Sequence, residues 1–134
     1  MSKKLLELIQ LPTITDDCEL TVAENSHLPF AIQRIHYIHN MKNSEPRGMH
    51  AHKKTKQILF CLHGSVRMVL ESVLGKEEYI LSDPPLGILL DAYVWHEMHD
   101  ISSDTILLVL ASHTYEEADF FNGLRSQAAY YSTN

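Results

Sequence analysis

The chain has 134 residues, 45% of them hydrophobic, and a formal net charge of -6 at pH 7. That length fits one core and is short for two domains of ordinary size, so residues 1–134 are expected to form a single domain. The acidic balance excludes general nucleic-acid binding, which needs many basic side chains to neutralise phosphates, and no apolar run approaches the roughly 20 residues of a membrane-spanning helix.

At the start, "MSKKLLELIQLPTITDD" opens with basic residues, but Glu7 and Gln10 interrupt its apolar stretch and no small-residue cleavage site follows. A soluble cytoplasmic protein without membrane partners is the expectation. From Phe30 onward the chain consists of short apolar runs separated by turn residues. The runs "FAIQRIHYI", "QILFCLHG", "SVRMVLES", "EEYILS", "GILLDAYVW" and "TILLVLAS" are rich in β-branched and aromatic residues and predict strands. The breaks "NSEPRG", Gly64, "LGK" and "SDPPLG" hold most of the glycine and proline. Such spacing predicts an antiparallel sandwich or barrel. Cys61, inside "ILFCL", reads as a buried thiol, and with Cys18 it makes no disulfide framework. After the last run, Thr114 and Glu117 in "HTYEEADFFNGL" have capping-box spacing and predict a short helix over about 115–123.

The stretch "RGMHAHKKTKQ", residues 47–57, sets two histidines two residues apart. In an extended segment His50 and His52 project from one face. Two imidazoles there can bind a metal, move protons, or serve only structure. Gly64 after a following strand and His96 at the end of a later one extend the pattern, which resembles the two motifs of the cupin family. Gln57 stands where those motifs carry a glutamate, and it brings a neutral, weaker oxygen to a divalent cation.

A narrower resemblance runs through "LPFAIQRIHYI", "EPRGMHAHKKTKQILFCLHGSVRMVLE", "VWHEMHDISSDTILLVLAS" and "YEEADF", covering most of residues 28–121. These segments are similar to the nucleotide-sugar 3,4-ketoisomerases that act on dTDP-4-keto-6-deoxyglucose. The resemblance implies an all-β, cupin-type antiparallel β-barrel or jelly roll with its core over about 28–113. It also implies an isomerase with no metal and no other cofactor, whose partner is a dTDP-linked keto sugar and whose product serves deoxyamino-sugar synthesis. Histidine titrates near neutrality and suits proton transfer. On this reading His50 is the base at C3 and the acid at C4, and His52 moves a proton between the two oxygens, with the roles open to exchange.

The resemblance further implies substrate-binding roles for Arg34, Tyr37, Arg47, Lys53, Gln57, His96 and Glu97. Arginine suits bidentate contact with a diphosphate. His96 would orient or polarise the sugar or serve structure, and Glu97 would hold a histidine or arginine or face water. Trp95 is expected in the core or at a subunit contact. The pattern is broken at Asp17-Cys18, where relatives commonly carry an Arg-Gly pair, and at Ala92, near a proline of the second motif. Relatives form homodimers, often by exchanging N-terminal strands, and the same is expected here. A metal-dependent cupin enzyme and a non-catalytic nucleotide-sugar binding module are the competing readings.

Overall fold

The computed structural model describes residues 4–116 and 119–121. Its strands are β1 (Leu8–Gln10), β2 (Thr13–Thr15), β3 (Glu19–Thr21), β4 (Arg34–Ile38), β5 (Arg47–His52), β6 (Gln57–His63), β7 (Val66–Ser72), β8 (Gly75–Leu81), β9 (Leu86–Leu90), β10 (Trp95–His99), β11 (Ile106–Ala111) and β12 (Phe120–Phe121). One sheet runs in the order β1-β9-β6-β11-β4 and the other β12-β5-β10-β7-β8, while β2 and β3 form a separate hairpin. The strand pairings within both sheets are antiparallel. This is the expected all-β, cupin-type architecture. Among the described residues no helix is long and apolar enough to cross a membrane.

The alternation of side chains along each strand decides where the core lies. Leu59 and Cys61 of β6 point between the sheets and meet Met68 and Leu70 of β7, Ile88 of β9 and Val109 of β11. The intervening Ile58 and Phe60 point to the other side, where Leu11, Leu89 and Leu110 close over them with Leu28, Phe30 and Ile32 packed against the cluster. Because β6 is covered on both faces, its sequence is a continuous apolar run instead of an alternating one. Cys61 is fully buried there, as expected. Gly64, which ends this run with φ +78°, must be glycine for a second reason: a Cβ would lie 2.5 Å from Thr105 Oγ1.

Two expectations need correction. "GILLDAYVW" is not one strand, because the chain turns at residues 91–94, where Val94 N–H donates to Asp91 O and Tyr93 takes φ 65°. The turn carries the chain from β9 in one sheet to β10 in the other, so His96 stands near the start of a strand and not at the end of one. The helix expected over about 115–123 does not continue past Asp119, which lies in a 3-10 turn with its N–H donating to Glu116 O. Phe120 and Phe121 instead pair with His52 and Ala51 as β12, and residues 117, 118, 122 and 123 lie outside the described part.

Candidate active site

The site begins with an irregularity in β5. His96 pairs with His50, but the next β10 residue, Glu97, pairs with Gly48, so Met49 is an additional residue in β5. Without this bulge Arg47 and His50, three positions apart, would face opposite ways. The additional residue restores their phase, and Arg47, His50 and His52 line one cavity with His96 and Met98 of the paired strand. Gly48 has φ +84°, and a Cβ there would lie 2.9 Å from His96 O. Met49 follows at φ 59°, a left-handed conformation that costs a non-glycine residue about 1–2 kcal/mol.

The cavity measures about 460 Å³ and lies between the sheets. Arg34 and His36 enter it from β4 and Gln57 from β6, over an apolar floor that includes Leu59, Leu90 and Val109. The rings of His50 and His52 stand 5.0 Å apart, those of His50 and His96 4.6 Å, and those of His52 and His96 6.0 Å.

Hydrogen bonds assign the protons on two of these rings. His50 Nδ1 is 2.8 Å from Gly48 O. A carbonyl only accepts, so Nδ1 carries the hydrogen and Nε2 is left as the acceptor nitrogen. His52 Nδ1 is 3.0 Å from Asp119 Oδ2, which imposes the same tautomer as long as Asp119 is ionised. Burial works to raise the Asp119 pKa, but hydrogen bonds from the Thr55 hydroxyl, the Lys54 amide and His52 outweigh it and hold the carboxyl below its ordinary value.

Burial biases three of the cavity's imidazoles, those of His36, His52 and His96, toward the neutral form. Burial lowers the His52 pKa, and charge on His50 and Arg34 acts in the same direction, against the opposing pull of Asp119. His96 is driven down to about 3 by burial and then by the two neighbouring histidines. His36 is lowered by burial and by Arg34. Arg34 Nε and His96 Nδ1 are buried with no hydrogen-bond partner among the described residues. Buried polar atoms are nearly always paired, so unpaired ones in residues that line a cavity are exceptions that call for an explanation.

Six of the expected site residues thus come together: Arg34, Arg47, His50, His52, Gln57 and His96. Tyr37, Lys53 and Glu97 do not line this cavity. Strand alternation puts Tyr37 between the inward Arg34, His36 and Ile38, leaving its ring exposed beside His39. Lys53 lies just past β5, exposed, its amide donating to Asp119 O. Glu97 lies between inward His96 and Met98 and therefore points out of the cavity. There it accepts hydrogen bonds from Trp95 Nε1 at 2.7 Å and from His99 Nε2 at 2.6 Å. It does hold a histidine in place, on the outer face, and Trp95 is buried as expected.

The sequence reading missed His36, Tyr115 and Asp119. For His36 the signal was its position two residues after Arg34 on one strand. Asp119 lay inside "YEEADF", which was read as helix. Asp17 and Cys18 occupy the exposed turn between β2 and β3, away from the cavity lining, with the Cys18 amide donating to Asp16 Oδ1. Ala92 falls in the turn between the sheets.

Ring nitrogens of His50, His52 and His96 come within 4.8 Å of one another, a spacing at which imidazoles can hold a divalent cation. Gln57 adds a neutral amide from the opposite sheet, so the set offers no anionic ligand.

Residues 4–132 match the family described as FdtA: WxcM-like, C-terminal. The TDP-4-oxo-6-deoxy-alpha-D-glucose-3,4-oxoisomerase of Aneurinibacillus thermoaerophilus is 46% identical over 101 residues, which are 75% of this chain and 73% of that one. QdtA of Thermoanaerobacterium thermosaccharolyticum, a sugar 3,4-ketoisomerase solved with TDP, superimposes with a TM-score of 0.90 at 34% identity, covering 96% of each chain. A histidine-to-asparagine mutant of QdtA, solved with TDP-4-keto-6-deoxyglucose, gives a TM-score of 0.91 at 32% identity over 99% of this chain and 98% of that one. With the family match spanning nearly the whole sequence and the fold shared from end to end, the chain belongs to the FdtA family of cupin-fold sugar 3,4-ketoisomerases.

Proposed function

We propose that this protein converts TDP-4-keto-6-deoxyglucose to a TDP-3-keto-6-deoxyhexose by acid–base catalysis, with residues 1–134 acting as one domain. The observation that carries the reading is the pair His50 and His52. They stand on one cavity wall with hydrogen on Nδ1, so Nε2 of each is an acceptor. Isomerisation moves two protons. His50 takes the proton from C3, and the electrons form a C3–C4 double bond with charge on O4. His52 takes the hydroxyl proton from O3 and releases it to O4. His50 then returns its proton to C4 while O3 forms the new carbonyl, so both imidazoles end as they began. The assignment of the two histidines could be exchanged without changing the balance.

Arg34 and Arg47 hold the diphosphate, and Gln57 and His96 bind the sugar oxygens. Neutral His96 can donate or accept, whereas a charged one could only donate. A 3-keto sugar accepts an amino group by transamination, so the product suits deoxyamino-sugar synthesis. The active form is a homodimer built by exchange of N-terminal strands. Supporting this, Ile14 and Leu20 pair across the β2–β3 hairpin yet are both exposed in the single chain. Light scattering at micromolar concentration should return about twice the 15.3 kDa chain mass and contradicts the dimer if it returns one.

Incubation of metal-stripped protein with TDP-4-keto-6-deoxyglucose in deuterated water, followed by NMR, tests the activity. Deuterium at C3 or C4 together with a 3-keto product is the expected result. Binding of TDP without exchange refutes catalysis, and activity only after metal addition refutes the metal-free mechanism.

A further inference from the structure

From the contacts of its carboxylate we infer that Asp119 is the positioning residue that sets the proton-transfer competence of His52, a role that rests on the ketoisomerase reading above. Its two oxygens do different work. Oδ2 accepts from His52 Nδ1 at 3.0 Å, and Oδ1 accepts from the Lys54 backbone amide at 2.7 Å. The Thr55 hydroxyl also donates to this carboxylate. The backbone carbonyl of Asp119 accepts from the Lys53 amide at 2.7 Å, and the next residue, Phe120, pairs with His52 in the β5–β12 ladder. Asp119 and His52 are both buried. The carboxylate is thus locked from several sides against the far nitrogen of one imidazole, on the segment between β11 and β12.

The arrangement dictates what a neutral replacement would do. In Asp119→Asn the Lys54 N–H still needs an oxygen, so the amide oxygen stays on that side and the NH2 group turns to His52. Nδ1 must then accept, and the ring hydrogen moves to Nε2, which becomes a donor. Such a ring cannot take the O3 proton in its neutral form. The backbone bonds and the size of the side chain are unchanged, so substrate binding persists while chemistry fails.

The test is Asp119→Asn in the full chain, measured two ways. Kinetics should show kcat reduced by about 10²–10⁴-fold, the range of a lost acid–base group, with KM within about threefold of wild type. Nitrogen-15 NMR of the histidine rings should place the His52 hydrogen on Nδ1 in wild type and on Nε2 in the variant. Wild-type kcat in Asp119→Asn, or a wild-type His52 protonated on Nε2 alone, overturns the inference. The wild-type tautomer decides it even if the variant does not fold. If wild-type protein isomerises no TDP-keto sugar, the enzymatic reading falls by itself, and the His52 tautomer in that same sample still tells whether Asp119 orients the ring.

Discussion

Acidification should unfold this protein through His96, and the size of the effect follows from its burial. The ring is enclosed, and its pKa falls from 6.5 to about 3 because burial and the two neighbouring imidazoles oppose its charge. In the unfolded chain the same ring takes up a proton near 6.5. Between those limits the unfolded state holds more protons, so falling pH favours unfolding. The contribution is complete above 6.5, is lost progressively as pH falls toward 3, and amounts to about 5 kcal/mol in all. Between pH 7.5 and pH 5 the loss is about 2 kcal/mol. With a urea slope of about 2 kcal/mol/M, the unfolding midpoint should drop by about 1 M. His52, whose pKa is also lowered by burial, acts in the same direction. The comparison with His96→Gln removes that shared background, since glutamine is polar and takes no proton. The variant should start less stable at pH 7.5 and lose about 2 kcal/mol less than wild type on acidification. Equal losses in the two proteins would refute the argument and mean that His96 is solvated or charged in the fold.

Other consequences are separable by assay. His50→Asn should abolish turnover and deuterium exchange while TDP affinity, read by calorimetry, stays within a few fold; substantial residual turnover would refute the base role. Arg34→Gln and Arg47→Gln should each weaken TDP binding by about 10–100-fold, in keeping with about 1.5–3 kcal/mol for a charge-assisted hydrogen bond. Unchanged affinity in both would place the diphosphate elsewhere. Gly48→Ala should lower stability by about 1–3 kcal/mol, because a Cβ lies 2.9 Å from His96 O and the backbone is left-handed. A urea midpoint equal to wild type would show that β5 tolerates a regular ladder there.

Much of the fold was legible because strands advertise themselves when they are long and apolar. β6, β7 and β11 stand almost as the runs "QILFCLHG", "SVRMVLES" and "TILLVLAS" predict. "GILLDAYVW" misled for a physical reason: a strand buried on both faces and a turn with apolar flanks carry the same composition, and only the transfer between sheets tells them apart. The C-terminal segment misled for another. Capping-box spacing is a local signal, whereas β12 exists because β5 offers it a ladder and Asp119 meets His52 across 67 residues of sequence.

The site divides along the same line. His50, His52 and His96 were visible as residue types at a spacing, and six of the nine expected positions share the cavity. What separates the six from the three is register. Plain alternation along "RGMHAH" sets Arg47 opposite to His50, and only the bulge at Met49 returns it to the cavity. Tyr37 on β4 and Glu97 on β10 lie on strands that carry no additional residue of their own, and plain alternation turns both away from the cavity that Arg34, His36, His96 and Met98 line. The bulge is written in the sequence as Gly48, but its meaning resides in the partner strand, whose His96 carbonyl leaves no room for a side chain there. One inserted residue therefore decides whether Arg47 and His50 occupy the same space, as the proposed diphosphate and proton-transfer roles require. Deleting Met49 should carry Arg47 out of that space, leaving the barrel folded and TDP affinity reduced as far as in Arg47→Gln; undiminished affinity in a folded deletion variant would mean that the arginine reaches its ligand by another route.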